Sequence, residues 1–125
     1  MDWKLELVFV PVSDVDRAKD FYVNKVGFNA DFDERPGGGI RFVQLTPPGS
    51  ACSICIGEGL TDAAPGTAPM IQVVVSDIQA AHDQLAANGV DVSDVDVQAW
   101  GHFVYFADPD GNKWALQYLP NRPKG

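Results

Sequence analysis

The segment His102 to Tyr118, HFVYFADPDGNKWALQY, constrains this chain most. Apolar side chains alternate, or nearly so, along two arms that flank Asp108-Pro-Asp-Gly-Asn112. Proline fixes φ, aspartate bonds its own backbone and glycine takes a positive φ, so the five residues predict a tight reversal between two strands. A weaker copy lies upstream: Arg41-Phe-Val-Gln-Leu45, then Thr46-Pro-Pro-Gly-Ser50, then Ala51-Cys-Ser-Ile-Cys-Ile56. A hairpin repeated about sixty residues apart in so short a chain predicts a fold built twice.

The preceding residues repeat too. Leu5 to Val12 reads as a strand, and Ser13-Asp-Val-Asp16 as a capping box that opens a helix. Val15, Ala18, Phe21, Tyr22 and Val26 share one helical face, and Gly27 ends it. Phe28 to Phe32 reads as a strand, and Asp33 to Gly39 as a hairpin loop, because no helix follows its three glycines to make a phosphate cradle. Residues 58 to 69, rich in Gly, Ala, Pro and Thr, form a linker. The order then restarts: Met70 to Val75 as a strand, a second capping box at Ser76 to Gln79, a helix striped by Ile78, Ala81, Leu85 and Ala86, an Asn88-Gly89 stop, and a strand with one wet face at Val90 to Val97. The expected fold is α+β, a single domain over 1–125, with one βαβββ module at about 4–57 and the other at about 70–119.

With 125 residues, 46% of them hydrophobic, the chain can bury a core of its own. No apolar run has the roughly 18 residues of a membrane span, and no basic segment followed by an apolar one opens the chain, so a cytoplasmic protein without membrane partners is expected. The formal charge of −8 opposes binding to a phosphate backbone and excludes nucleic acid as the expected partner, while attracting cations. Cys52 and Cys55 have C-x-x-C spacing, but on a strand residues three apart face opposite ways, which makes them structural thiols rather than a redox or metal pair.

The doubled βαβββ order, the run PVSDVDRAKDFY ending at Tyr22, Val26-Gly-Phe28 and the terminal Asp-Pro-Asp-Gly-Asn112 resemble the vicinal oxygen chelate superfamily. That superfamily includes glyoxalase I, extradiol dioxygenases, fosfomycin-resistance enzymes and bleomycin-resistance proteins. The resemblance implies two ferredoxin-like half-cups of mixed or antiparallel sheet, with one helix each. In metal-using members the cup floor carries His or Gln on each module's first strand and Glu on its last. Counting from Val12, Val75 and the hairpin glycines puts Leu7, Met70, Ser53 and Ala115 at those places, with Cys55 as the alternative to Ser53. Such a set lacks imidazole and carboxylate, so neither metal nor cofactor is expected.

In fosfomycin-resistance members the tyrosine matching Tyr105 faces the cup. If Tyr105 does so here, strand alternation sends Phe103, Tyr105, Ala115 and Gln117, Phe42, Gln44, Ser53 and Cys55, and Leu7, Phe9, Met70 and Gln72 to the same side. Phe9, Phe42, Gln44, Cys55, Gln72, Phe103, Tyr105 and Gln117 are the candidate ligand contacts: apolar area for affinity, a few amides for orientation. The other parity, with Trp114, is core. His82 lies on a helix outside its apolar stripe, and His102 has the parity opposite to Tyr105. The expected function is metal-independent binding of an aromatic or cationic small molecule, of glyoxalase/bleomycin-resistance type. The alternative is a lyase, isomerase or dioxygenase-like enzyme of the same superfamily, with Tyr105 or a rim histidine as proton donor; no titratable cluster singles out catalytic residues. Unpaired sheet edges predict a homodimer.

Overall fold

The structure is a computed structural model that describes residues 1–120. In chain order it contains β1 (Leu7–Phe9), α1 (Val15–Asp20), β2 (Asn29–Gly37), β3 (Ile40–Thr46), β4 (Ser53–Glu58), β5 (Ile71–Val74), α2 (Ile78–Ala87), β6 (Asp96–Gln98), β7 (Gly101–Ala107) and β8 (Lys113–Tyr118). The sheets are ordered β1-β4-β3-β2 and β5-β8-β7-β6, so the two modules share one topology. In each, the first strand pairs parallel with the last and the remaining pairs are antiparallel. Two compact units result: Met1–Ala68 together with Asp108–Asn112, and, of the described residues, Pro69–Ala107 together with 113–120.

Both helices begin on aspartate, not serine. Asp14 accepts from Arg17 N at 3.0 Å and Asp77 from Ala80 N at 2.9 Å, so the caps lie one residue beyond the serines that the sequence pattern suggests. Ser13 has another partner, donating its hydroxyl to Asp110 at 2.6 Å. Beyond α1 the chain continues as a π-helical segment, Phe21–Val26, and reverses at Gly27, whose φ of 97° only glycine adopts readily.

In the first unit Val10, Val43, Leu45, Ile54 and Ile56 are buried, as are Val15, Ala18, Phe21 and Tyr22 of the helix and Phe28 after it. Alternation accounts for the sheet set: every second residue of β3 and β4 faces the helix, and each large aliphatic contributes about 1.5–3 kcal/mol on burial. In the second unit Val104, Phe106, Trp114 and Leu116 are buried with Ile78 and Leu85 of α2, and Phe106 stacks on Trp114 at 6.0 Å. Val8, Val73 and Val75 are only half-buried, because they lie on the short edge strands or just beyond them.

Two segments differ from the sequence expectation. Asp33 to Gly37 belongs to β2 rather than to a loop, and the reversal is confined to Gly38 and Gly39 at φ 65° and 76°, the paired positive values of a two-residue hairpin turn. Every residue of β2 is exposed, so no apolar alternation marks it. Conversely, Val90 to Val95 is not strand. Ser93 takes a backbone position and a side-chain position at once: its N–H donates to Tyr105 O and its Oγ accepts from Tyr105 N, both at 2.9 Å. Only Asp96–Gln98 remains to pair with β7.

The Asp108–Asn112 turn is built into the first unit as a polar plug. Asp108 accepts from Tyr22 Oη at 2.7 Å, Asn112 Nδ2 at 2.8 Å, Asn112 N at 2.9 Å and Asp110 N at 3.0 Å. Asn112 Nδ2 also donates to Pro11 O at 2.9 Å, and its Oδ1 accepts from Ala68 N at 3.1 Å. Aspartate and asparagine are therefore required here as buried hydrogen-bonding groups as much as turn formers.

Candidate functional site

Each sheet has a face turned away from its helix. On the first, register brings Leu7 beside Ser53, Phe9 and Gln44 beside Cys55, and Phe42 beside Gly57. Phe9, Phe42, Gln44 and Cys55 thus share one face. Phe32 of β2 extends it, paired with Gln44 and more than half exposed. A polar row crosses this face: Gln44 Nε2 donates to Ser53 Oγ at 3.1 Å, Ser53 Oγ lies 2.6 Å from Thr46 Oγ1, and Thr46 Oγ1 donates to Asp31. Ser53 therefore already has protein partners on two sides.

Cys55 is buried and, like Cys52, free. Burial pushes its thiol up to about 11, which keeps it protonated and a poor nucleophile near neutral pH. Beside it lies a pocket of about 220 Å³, lined by Phe9, Val10, Cys55, Gly57, Leu60 and Ala63 among others.

On the second sheet Gln72, Phe103, Tyr105, Ala115 and Gln117 share one face: Gln72 and Tyr105 both pair with Ala115, and Phe103 with Gln117. The Phe103 and Tyr105 rings are parallel with centroids 6.0 Å apart, Phe103 buried and Tyr105 36% exposed. Gln117, buried, accepts from Gln72 Nε2 at 2.6 Å and donates to Trp100 O at 2.9 Å. Asp96, paired with Phe103, accepts from Gln98 at 2.9 Å and lies 3.5 Å from Tyr105 Oη. Partial burial raises the Tyr105 phenol above its ordinary value, and the Asp96 carboxylate adds to that rise, so the phenol remains a proton donor. Sequence reasoning omitted Asp96. Its signal was the alternation of Asp with Val from residue 90 onward, which fixes its parity once the pairing with Phe103 is known.

His102 pairs with Tyr118, their ring centroids 5.6 Å apart, on the side opposite to Tyr105. His82 lies on α2, 2.9 Å from Asp83.

The residues at the implied metal positions do not fit an ion. The register corrects one of them: β1 and β5 end equivalently, Val10 N donating to Cys55 O and Val75 N to Gln117 O, so Gln72, not Met70, stands level with Ala115 as Leu7 stands level with Ser53. The cause is two extra residues between β1 and α1, Pro11 and Val12 displacing the strand end relative to the helix cap. The corrected donors are a hydrocarbon, a hydroxyl already engaged, an amide and a methyl. Among the described residues no three His, Cys, Asp or Glu side chains group closely enough to hold an ion.

The family model of the glyoxalase/bleomycin resistance protein/dioxygenase superfamily matches residues 4–116. The chain belongs to that superfamily. It is similar to TnmS3, an antibiotic binding protein from Streptomyces sp. CB03234, at 34% identity over 94% of this chain and 97% of that one, with a TM-score of 0.85. A glyoxalase/bleomycin resistance protein from the same organism is 35% identical over 91% and 99% of the two chains, with a TM-score of 0.80. The protein YetH of Bacillus subtilis (strain 168) is 29% identical over 88% of this chain and 93% of its own length.

Proposed function

We propose that this protein binds an aromatic or cationic small molecule, of the kind that antibiotics exemplify, without a metal ion. The observation that carries this reading is the open face of β7, where a partly exposed Tyr105 ring, stacked beside Phe103, adjoins the Asp96 carboxylate. A flat ring gains apolar contact on Tyr105, and a basic nitrogen on that ring meets Asp96. Gln72 and Gln117, bonded to each other, hold the amide edge of this face in a fixed orientation. The formal charge of −8 favours approach of a cation, and the likeness to TnmS3 supports an antibiotic as the class of ligand.

A homodimer is part of the reading. The edge strands β1 and β5 leave Phe9 and Val74 exposed, and such edges are commonly covered by a partner. Two free cysteines suit a reducing cytoplasm, and among the described residues no helix is long and apolar enough to cross a membrane.

Calorimetric titration against a panel of planar aromatic antibiotics, with and without a basic nitrogen, tests the function. Saturable binding is expected, and Tyr105→Phe should weaken it by about 0.5–1.5 kcal/mol through loss of one orienting hydrogen bond. Absence of saturable binding, or binding indifferent to both Tyr105 and Asp96, refutes the proposal. Turnover of a bound compound moves the enzymatic alternative ahead of it.

A further inference from the structure

The pocket beside Cys55 belongs to the segment that composition alone marks as a linker. β4 ends at Glu58, the chain reverses at Gly59 with φ 72°, and Leu60 folds back onto Gly57. A Cβ on Gly57 would lie 2.5 Å from Leu60 Cδ1 and 1.9 Å from Arg41 O, so only glycine lets the loop close here. The loop, the Phe9–Val12 stretch, Cys55 and Gly57 together line the pocket. We infer that this pocket is a binding subsite for an uncharged single ring carrying one hydroxyl, a phenol in its simplest form. The inference deepens the reading of the chain as a small-molecule binder and rests on it.

Size and charge both point to that class. The volume is about 220 Å³, and a cavity of about 150 Å³ can hold one benzene ring. Phe9, 48% exposed, is the aromatic side chain of its lining. The Cys55 thiol in the lining stays neutral, since burial raises it to about 11, and a charged group placed against it would lose the same solvation. Glu58 also lines the pocket, but its carboxylate is paired with Arg35 at 3.0 Å and presents no uncompensated charge to an occupant. Thr61 Oγ1 accepts from Ala63 N at 3.1 Å, which leaves the hydroxyl proton to be donated to an oxygen on the ring.

Phenol itself is the probe, with benzoate and benzylamine as charged comparators, added at millimolar concentration to the full-length ¹⁵N-labelled protein. Saturable amide shifts at Leu60, Thr61 and Ala63 are expected with phenol and much smaller ones with either charged ring. Ala63→Phe, which fills the pocket from its loop side, should abolish these shifts. Should that variant fail to fold, Leu60→Ala widens the pocket, and a preference shifted from phenol toward 2-naphthol is the supporting result; an unchanged preference is not. Equal shifts with benzylamine or benzoate, or no saturable phenol shift at these amides, overturn the inference. Phenol shifts confined to Phe103 and Tyr105 refute the subsite and leave the proposed function standing. Shifts confined to Leu60, Thr61 and Ala63 support the subsite and count against the Tyr105 face.

Discussion

Replacing Asn112 by alanine should destabilise the protein far more than its position in a hairpin turn suggests. The substitution deletes three side-chain hydrogen bonds at once: to Pro11 O, to Asp108 Oδ2 and from Ala68 N. Pro11 and Asp108 are buried, but Pro11 O keeps the Gly66 N–H and Asp108 Oδ2 keeps the Tyr22 hydroxyl, so each loses one hydrogen bond and not its last, at about 0.5–1.5 kcal/mol each. Ala68 is half-buried and its N–H can recover part of the loss from solvent, about 0.5 kcal/mol net. The total is about 1.5–3.5 kcal/mol, a sizeable share of the roughly 5–15 kcal/mol that holds a domain of this kind together. For a chain of this length it corresponds to a fall in Tm of about 5–15 °C. Urea denaturation followed by circular dichroism measures the change in midpoint, with Lys113→Ala at the exposed neighbouring position as a control expected within about 0.5 kcal/mol of the parent. Tyr22→Phe removes the other side-chain donor to the same Asp108 oxygen, so the double variant should be non-additive by about 0.5 kcal/mol or more. An Asn112→Ala cost below about 1 kcal/mol would refute the idea that the turn is a structural plug.

Arg41, buried beneath the first helix, holds Asp33 through two hydrogen bonds at 2.9 and 3.0 Å, and Lys19 adds another at 2.9 Å; together they keep the Asp33 carboxyl well below the usual carboxylate range. The folded state therefore binds this proton more weakly than the unfolded state, so the contribution is complete above the ordinary aspartate value of 3.8 and is lost as pH falls below it. Arg41→Met should flatten that acid limb in a plot of denaturation midpoint against pH; an unchanged limb rejects the assignment. Light scattering at micromolar concentration should return the mass of a dimer, and a monomer throughout counts against the covered-edge argument.

Much of the fold was legible because its signals are local and repeated. The two hairpins, the glycine at each helix end and the alternation in β3, β7 and β8 need no tertiary information, and together they imply the doubled topology. β2 was less legible because an edge strand with two wet faces has no apolar period to reveal it. The opposite failure occurred at Val90 to Val95, where alternation is present but Ser93 Oγ replaces a backbone acceptor and the ladder stops. Arg41 gave no warning either: a lone arginine at a strand start reads as solvated, and only the approach of Asp16 from α1 and Asp33 from β2 makes a charge tolerable there. For the site, parity was enough to group side chains by face. Parity could not locate the pocket at Leu60, which depends on the path of a loop rather than on any periodicity.

The register of the first strands bears directly on the metal. Counting back from Val12 and Val75 as if they were equivalent gives Met70, whose thioether suits copper(I) and little else; counting by hydrogen bonds gives Gln72, whose amide oxygen is a reasonable ligand for a harder ion. The correction makes the second module less hostile to metal than the sequence pattern implied, yet one amide opposite the methyl of Ala115 remains a single donor. In the first module Leu7 offers none, and Ser53 is held by Gln44 and Thr46. An ion bound by so few groups would keep most of its water and contribute little linkage energy to the native state. Purified protein should accordingly carry well under one equivalent of zinc, nickel, manganese or iron, and a chelator should leave its Tm unchanged. Gln72→Ala supplies the discriminating variant: it should leave both the metal content and the chelator response as they were, losing only the hydrogen bond to Gln117. A stoichiometric ion that is lost in this variant, with a chelator-sensitive Tm in the parent, would show that Gln72 is a ligand and that the binding reading must yield to a metal-dependent enzyme.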